Sequence, residues 1–320
     1  RHCAVFSGHA RLALAYDSER LSAAISRHEL SAAWLSVNGL VERLKSAIEN
    51  HQPLSFVRLG DGEARFLAYV TPSIREQLSP EEAESIIDII WHNWFGHPIK
   101  QDHSENINEV RELFQNALQS ADILGVTTSD RYVKDTFHRG YLNVLQSLIG
   151  TVIDECPGMA LTNALIPMEL HRHSPFFSDI LSGLDFVGVI SPHPGLAGRL
   201  ARYHGITKSR EYIIPGETRL PEAIRHLTGE AHLPDVFRKL LRNICVPYRG
   251  AVFLVAAGLL GKIYCARIRN LGGVAIDVGS IVDAWMGQNT RPGQYDKTEE
   301  WILPDAPQIM GFTEYKPDSA

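Results

Sequence analysis

Two carboxylates separated by one glycine stand in the run Phe56-Val57-Arg58-Leu59-Gly60-Asp61-Gly62-Glu63. Side chains so spaced can reach the same side of a turn, and Gly62 lets the backbone approach a ligand closely. Asp61 and Glu63 therefore suit a hard divalent cation, which takes oxygen ligands and bridges to phosphate. Arg58 would contact a phosphate or hold one carboxylate in place. The competing reading is an acidic turn that caps the next helix.

A second run, Ala251 to Lys262, reads as a buried strand, a glycine turn and a helix start. Gly258 and Gly261 flank the turn, free N–H groups at the helix N-terminus favour an anion, and Lys262 adds a charge. It is no Walker loop, since the spacing differs and no Ser or Thr follows the lysine; nor is it the three-glycine dinucleotide fingerprint. A turn that only lets helix and sheet pack closely accounts for it as well. In a third run, Ala275 to Gly287, Asp277 and Ser280 fall where a strand ends, with Gly279 allowing a tight turn between them. Asp283 and Trp285 follow on the same lip. Trp285 would stack on a base or sugar ring; a buried Trp beside a capping Asp is the alternative. Two further turns are weaker: Ser191-Pro192-His193-Pro194-Gly195, which would receive a diphosphate, and the segment carrying Asn163 and Glu169. On a helix, His171 and His173 point to different faces and make no metal pair.

The elements around these runs alternate. Ser31 to Asn50 has helical apolar spacing and ends at His51-Gln52-Pro53. Leu54 to Leu59 is a strand. Ser79-Pro80-Glu81-Glu82 opens a helix to about Trp94, and another spans about 105–119. Strands are expected at 123–127, 159–162, 186–190, 211–214, 251–256 and 274–278. Between them come helices near 141–149, 167–181, 196–204, 234–245 and 261–270. Near-continuous apolar strands separated by helices imply an α/β fold, a Rossmann-like parallel sheet covered on both faces. In such a sheet, ligands bind beyond the carboxyl ends of the strands, where all three runs fall. The expected organisation is a helical N-terminal extension (1–51), one catalytic domain (52–290) and a C-terminal tail (291–320) that wraps the surface or stays mobile.

Composition narrows the partners. The 320 residues carry a net charge of −6, which argues against a general nucleic-acid binder. The four cysteines form no CxxC pair, so a reducing, cytoplasmic setting is the expectation. The longest apolar run, residues 250–261, is too short to span a bilayer. No charged-then-apolar leader opens the chain, and its first residue, Arg1, leaves room for a start upstream. Neither a GxSxG elbow nor an HExxH motif occurs.

The run Val57 to Glu63 and the C-terminal strand–helix–strand from Leu254 to Gly287 together resemble the GT-D-type glycosyltransferases, a bacterial group with a Rossmann-like fold. Asp61-Gly62-Glu63 looks like that group's DxE signature, and Gly261-Lys262 with Ala275-Ile276-Asp277-Val278-Gly279 looks like its closing segment. The resemblance covers about residues 52–290. It implies transfer of a sugar from a nucleoside-diphosphate donor to a glycan or other hydroxyl acceptor, with Mn²⁺ (or Mg²⁺) on Asp61 and Glu63. The donor would lie against Arg58, Gly60, Gly62, Gly258, Gly261, Lys262, Gly279, Ser280 and Trp285. Asp277 and Asp283 are the candidates for a base. The sequence departs from the group after Gly279, where Ser280-Ile281-Val282-Asp283-Ala284-Trp285 replaces an acidic, tyrosine-rich stretch. Two other readings stand beside it. One is a nucleotide- or dinucleotide-binding module without transfer chemistry, in which Asp277, nineteen residues after Gly258, would take a ribose. The other is a catalytically inactive scaffold on the same fold.

Overall fold

The computed structural model describes residues 2–95, 104–291, 293–295 and 298–305. Seven strands form one sheet: β1 (Leu54–Arg58), β2 (Ile123–Val126), β3 (Ala160–Asn163), β4 (Phe186–Ser191), β5 (Lys208–Ile213), β6 (Val252–Val255) and β7 (Val274–Asp277). Their order is β3-β2-β1-β7-β6-β4-β5, and every pairing is parallel. β5 starts three residues before the expected segment because Lys208, Ser209 and Arg210 are exposed on the sheet edge and carry no apolar run.

Alternation along the strands feeds two separate cores. Phe253 and Val255 of β6 join one core, with Val57 of β1 and the helices Asp61–Val70, Pro80–Phe95, Ser104–Gln119, Arg139–Glu155 and Gly258–Asn270. Val252 and Leu254 join the other, with Phe56 and the helices Val37–Glu49, Ile166–His173 and Leu196–His204. Both faces are thus dry, which is why the strands read as unbroken apolar runs.

Three segments differ from the sequence expectation. The helix expected from Ser31 starts at Val37, capped by Ser36, whose Oγ accepts from the Gly39 N–H at 3.2 Å. Residues 33–35 instead run along β3: the Leu161 N–H donates to Ala33 and the Leu35 N–H to Leu161. The helix expected over 167–181 breaks at Ser174-Pro175, and Phe176 and Phe177 take left-handed backbone (φ 52° and 62°) that buries both rings. The tail is anchored over its described part, since Tyr295, Trp301 and Leu303 are buried and Trp301 stacks on His171 at 4.5 Å. Residues 306–320 of that expected tail lie outside the described residues.

The N-terminal extension is helical at His2–Leu14 and Ser18–Glu29. It is part of the same body. The first helix packs on Pro80–Phe95 and Arg139–Glu155, and His9 Nε2 accepts from the Gly140 N–H at 3.2 Å. Among the described residues no helix is long and apolar enough to cross a membrane.

Candidate active site

A cleft of about 570 Å³ opens beyond the carboxyl ends of β1, β7, β6 and β4. Two helices begin at its floor. Gly60 caps Asp61–Val70, and Ala257 precedes Gly258–Asn270, whose first residue has φ 52°. Trp94 bridges the two starts. A Cβ at Gly62 would stand 2.3 Å from its ring, and one at Gly258 would stand 3.5 Å from its indole nitrogen. Close approach thus requires glycine at 62, left-handed backbone favours it at 258, and both line the cleft.

Between β1 and β7 lies a buried group of four charges. Lys262 Nζ donates to Glu63 Oε1 (2.6 Å) and to the Gly258 carbonyl (3.0 Å), and lies 3.1 Å from Asp277 Oδ2. Arg58 donates from Nε to the Asp277 carbonyl (2.9 Å), from Nη1 to the Ala164 carbonyl (2.7 Å) and from Nη2 to Asp277 Oδ1 (3.3 Å). Burial pushes the Asp277 carboxyl up, but Lys262 and Arg58 outweigh it and hold the group below the ordinary carboxylate range. Burial likewise lowers Lys262, and Asp277 and Glu63 more than offset this, so it stays charged. Two positive and two negative groups offset each other here, as buried charges require. Gly279 makes room for it: a Cβ there would sit 1.8 Å from Arg58 Nη2.

This arrangement decides the fit of a divalent cation. Glu63 Oε2 accepts from the Gly60 N–H at 2.9 Å, the N3-to-N-cap half of a capping box, while Oε1 is held by Lys262. Its charge is already neutralised by the Lys262 ammonium at 2.6 Å, its other oxygen accepts from the Gly60 N–H, and the side chain is buried. Asp61 is 35% exposed and faces the Arg131 guanidinium at 3.5 Å, the His138 ring at 3.6 Å and the Arg65 guanidinium at 4.0 Å. Burial raises its carboxyl, and His138, Arg65 and Arg131 together bring it below the ordinary value. Among the described residues no three His, Cys, Asp or Glu side chains converge on one point. The residues present do not fit the Mn²⁺ or Mg²⁺ expected at Asp61 and Glu63. The helix-capping reading of the Asp-Gly-Glu turn describes Glu63.

The remaining expected residues divide. Gly60, Gly62, Gly258, Gly279, Ser280, Asp277 and Asp283 line the cleft with Arg58 and Lys262. Asp283 is fixed on both oxygens, by His193 Nε2 at 2.6 Å and by the Thr290 hydroxyl at 2.6 Å. Gly261 lies within its helix, where a Cβ would be 3.4 Å from Val255; it serves helix–sheet packing. Trp285 corrects the expectation of a stacking residue: it is fully buried among Phe176, Phe177 and His171, and its Nε1 donates to His171 Nδ1 at 3.2 Å. The N-terminus of Leu196–His204 is likewise taken, since Glu211 accepts from the Gly195 and Ala197 N–H groups.

Sequence reading missed the aromatic and cationic walls. The cleft also holds Trp94, Arg65, Arg131, His138, Tyr141 and Arg291. Arg65 stands one helical turn after Asp61, a spacing visible in the sequence. Arg131 follows the carboxyl end of β2, where the strand-end rule would have found it. Arg291 pairs through its two terminal guanidinium nitrogens, Nη1 and Nη2, with Glu217 across the opening, and no local pattern announces that pair.

The model of the GT-D fold-like domain matches residues 35–285. No curated protein sequence matches the chain. A structure of the highly conserved domain of unknown function 1792, with a distinct glycosyltransferase fold, is 17% identical at a TM-score of 0.46, covering 86% of this chain and 92% of its own. A selenomethionine-substituted structure of that domain is 18% identical at a TM-score of 0.47, covering 88% and 94%.

Proposed function

The chain belongs to the GT-D fold-like family, and on that premise we propose that it transfers a sugar from a nucleoside-diphosphate donor to a hydroxyl acceptor. One observation carries the reading. Two strand–glycine–helix turns, at Gly60-Asp61-Gly62 and at Gly258, open on one cleft under one tryptophan. Helix N-termini favour anions, and a cleft of this volume suits a ligand of nucleotide-sugar size.

In this reading the acceptor oxygen forms a bond to the anomeric carbon while the bond from that carbon to the diphosphate oxygen breaks. The diphosphate leaves with the electron pair, and the hydroxyl proton passes to a base. Charge growing on the leaving group is met by the two helix starts and by Arg58, which has N–H bonds left after its three contacts. Asp277 has both oxygens ion-paired and serves to position Arg58 and Lys262. Asp283 keeps a lone pair on each oxygen and lines the cleft, and is the base in this reading. Asp277 is buried and ion-paired with Lys262 and Arg58, which counts against it as the ribose ligand of the dinucleotide-module alternative.

The test is a thermal-shift panel of UDP- and GDP-sugars beside NAD and NADP, followed by donor hydrolysis with the best binder. Stabilisation by a nucleotide sugar, with nucleoside diphosphate released on incubation, is the expected outcome. A response confined to NAD or NADP would replace this reading with the dinucleotide module.

A further inference from the structure

At the end of the cleft walled by Asp61–Val70 and Arg139–Glu155, two buried donors have no acceptor among the described residues. Tyr141 is 1% exposed and lines the cleft, yet its hydroxyl makes no hydrogen bond. Arg65 Nε is likewise buried without a partner. The Arg65 guanidinium lies over the Tyr141 ring, 4.8 Å from its centre, and among the described residues its ion-pair contact is Asp61 at 4.0 Å. Burial pushes the Tyr141 hydroxyl up to about 12, so it keeps its proton to donate. Leaving a buried donor unmade costs about 1–3 kcal/mol, and more when it is charged. Two such donors side by side, with Arg131 and His138 on the same wall, call for an occupant that brings several acceptor oxygens and negative charge.

We propose that Arg65, Arg131, His138 and Tyr141 form a binding site for a phosphate-type oxyanion, held directly by these side chains with no bridging metal. Asp61 is the counter-charge beside Arg131, His138 and Arg65, and Asp135 steadies the wall from behind, 2.9 Å from His138 Nδ1 and 3.7 Å from Arg131 Nε. Glu63 is the positioning residue that locks Lys262. Naming the anion as the donor's diphosphate rests on the glycosyltransferase reading; the site itself rests on the two orphaned donors. An anionic acceptor would offer the same chemistry, so the experiment separates the two sources.

Calorimetry of the full chain with inorganic pyrophosphate, in EDTA and in excess Mn²⁺, is the measurement. Binding in EDTA, not tightened by Mn²⁺, is expected. Arg65→Met keeps the stem over the Tyr141 ring and removes the charge, and should weaken binding at least about tenfold; Tyr141→Phe removes one oxygen and should weaken it about fivefold. Asp61→Asn gives opposite signs under the two accounts. Affinity is kept or raised if Asp61 is a counter-charge and lost if it holds a metal. Pyrophosphate binding that requires Mn²⁺ and disappears in Asp61→Asn overturns the proposal. So does wild-type affinity in both Arg65→Met and Tyr141→Phe. A nucleoside diphosphate binding more tightly than pyrophosphate, through the same residues, assigns the site to the donor. A hexose monophosphate preferred over both upholds the anion site and sinks the donor assignment alone.

Discussion

At the residue scale, the buried group of Arg58, Glu63, Lys262 and Asp277 couples the two halves of the cleft floor, and its balance of charge is its main property. Glu63 lies at the start of one helix and Lys262 inside another, 199 positions later. Glu63→Gln would leave Arg58 and Lys262 facing Asp277 alone, an uncompensated buried cation. Breaking such a pair costs about 3–5 kcal/mol, so this variant should show a lower urea midpoint at unchanged slope. Adding Lys262→Met restores neutrality, leaving Arg58 with Asp277. The double variant should therefore be more stable than the sum of the singles predicts, by about 1–3 kcal/mol. Strict additivity of the two substitutions would show that Glu63 and Lys262 do not act as a pair.

At the element scale, the helix His2–Leu14 lies outside the family match yet supplies His9 to the cleft wall. Its seat is Gly140. A Cβ there would come within 2.3 Å of the His9 carbonyl oxygen and 3.0 Å of the Ala13 nitrogen, both backbone atoms that no rotamer change can move. Gly140→Ala should therefore lift the first helix from Arg139–Glu155, at about 1–3 kcal/mol for an overpacked contact. The expected signs are a lower melting temperature and faster proteolytic cutting within residues 2–16, both absent if the helix is only loosely attached. This seat shows what the sequence could and could not disclose. Six of the seven strands were legible because apolar runs mark them, whereas β5, exposed at the sheet edge, was legible only over its last three residues. Also legible were Gly62, read as allowing a close backbone approach, and Gly258 and Gly279, read as turn glycines after strands. The partner of Glu63 was not legible, because an ion pair across the sheet leaves no trace in local spacing. Trp285 was misplaced for a related reason: it lies close in sequence to cleft residues Ser280 and Asp283, but its helical turn sends it to the opposite core. Trp94, from a helix far upstream, holds the cleft position instead.

At the scale of the whole molecule, the second core is closed by neutral histidines, and this sets how the fold responds to acid. His171 Nδ1 accepts from the Phe176 N–H (3.1 Å) and from Trp285 Nε1 (3.2 Å), so its proton sits on Nε2, which donates to the Glu300 carbonyl. His204 Nε2 donates to the Phe176 carbonyl at 3.0 Å. The two rings thus tie the left-handed turn at Phe176-Phe177 to Trp285 and to the C-terminal segment that carries Trp301. Burial lowers each to about 4; for His171 the Glu300 bond opposes the shift and Arg172 adds to it, and for His204 the Phe176 bond opposes it. Both folded values lie below the unfolded value of about 6.5. Above that value the rings are neutral in both states and contribute no pH dependence. Between about 6.5 and 4 the unfolded chain takes up protons that the folded chain refuses, so stability falls with acid by about 1.4 kcal/mol per pH unit for each ring. Below about 4 this loss levels off. The carboxyls of Asp61, Asp277 and Glu82 are held below their ordinary values and act in the window beneath it. Urea denaturation at about pH 7, 6 and 5 should show the free energy of unfolding dropping across that range, with a shallower slope in His204→Gln. A flat profile from about pH 7 to 5 would mean that these histidines accept protons without disturbing the turn they hold.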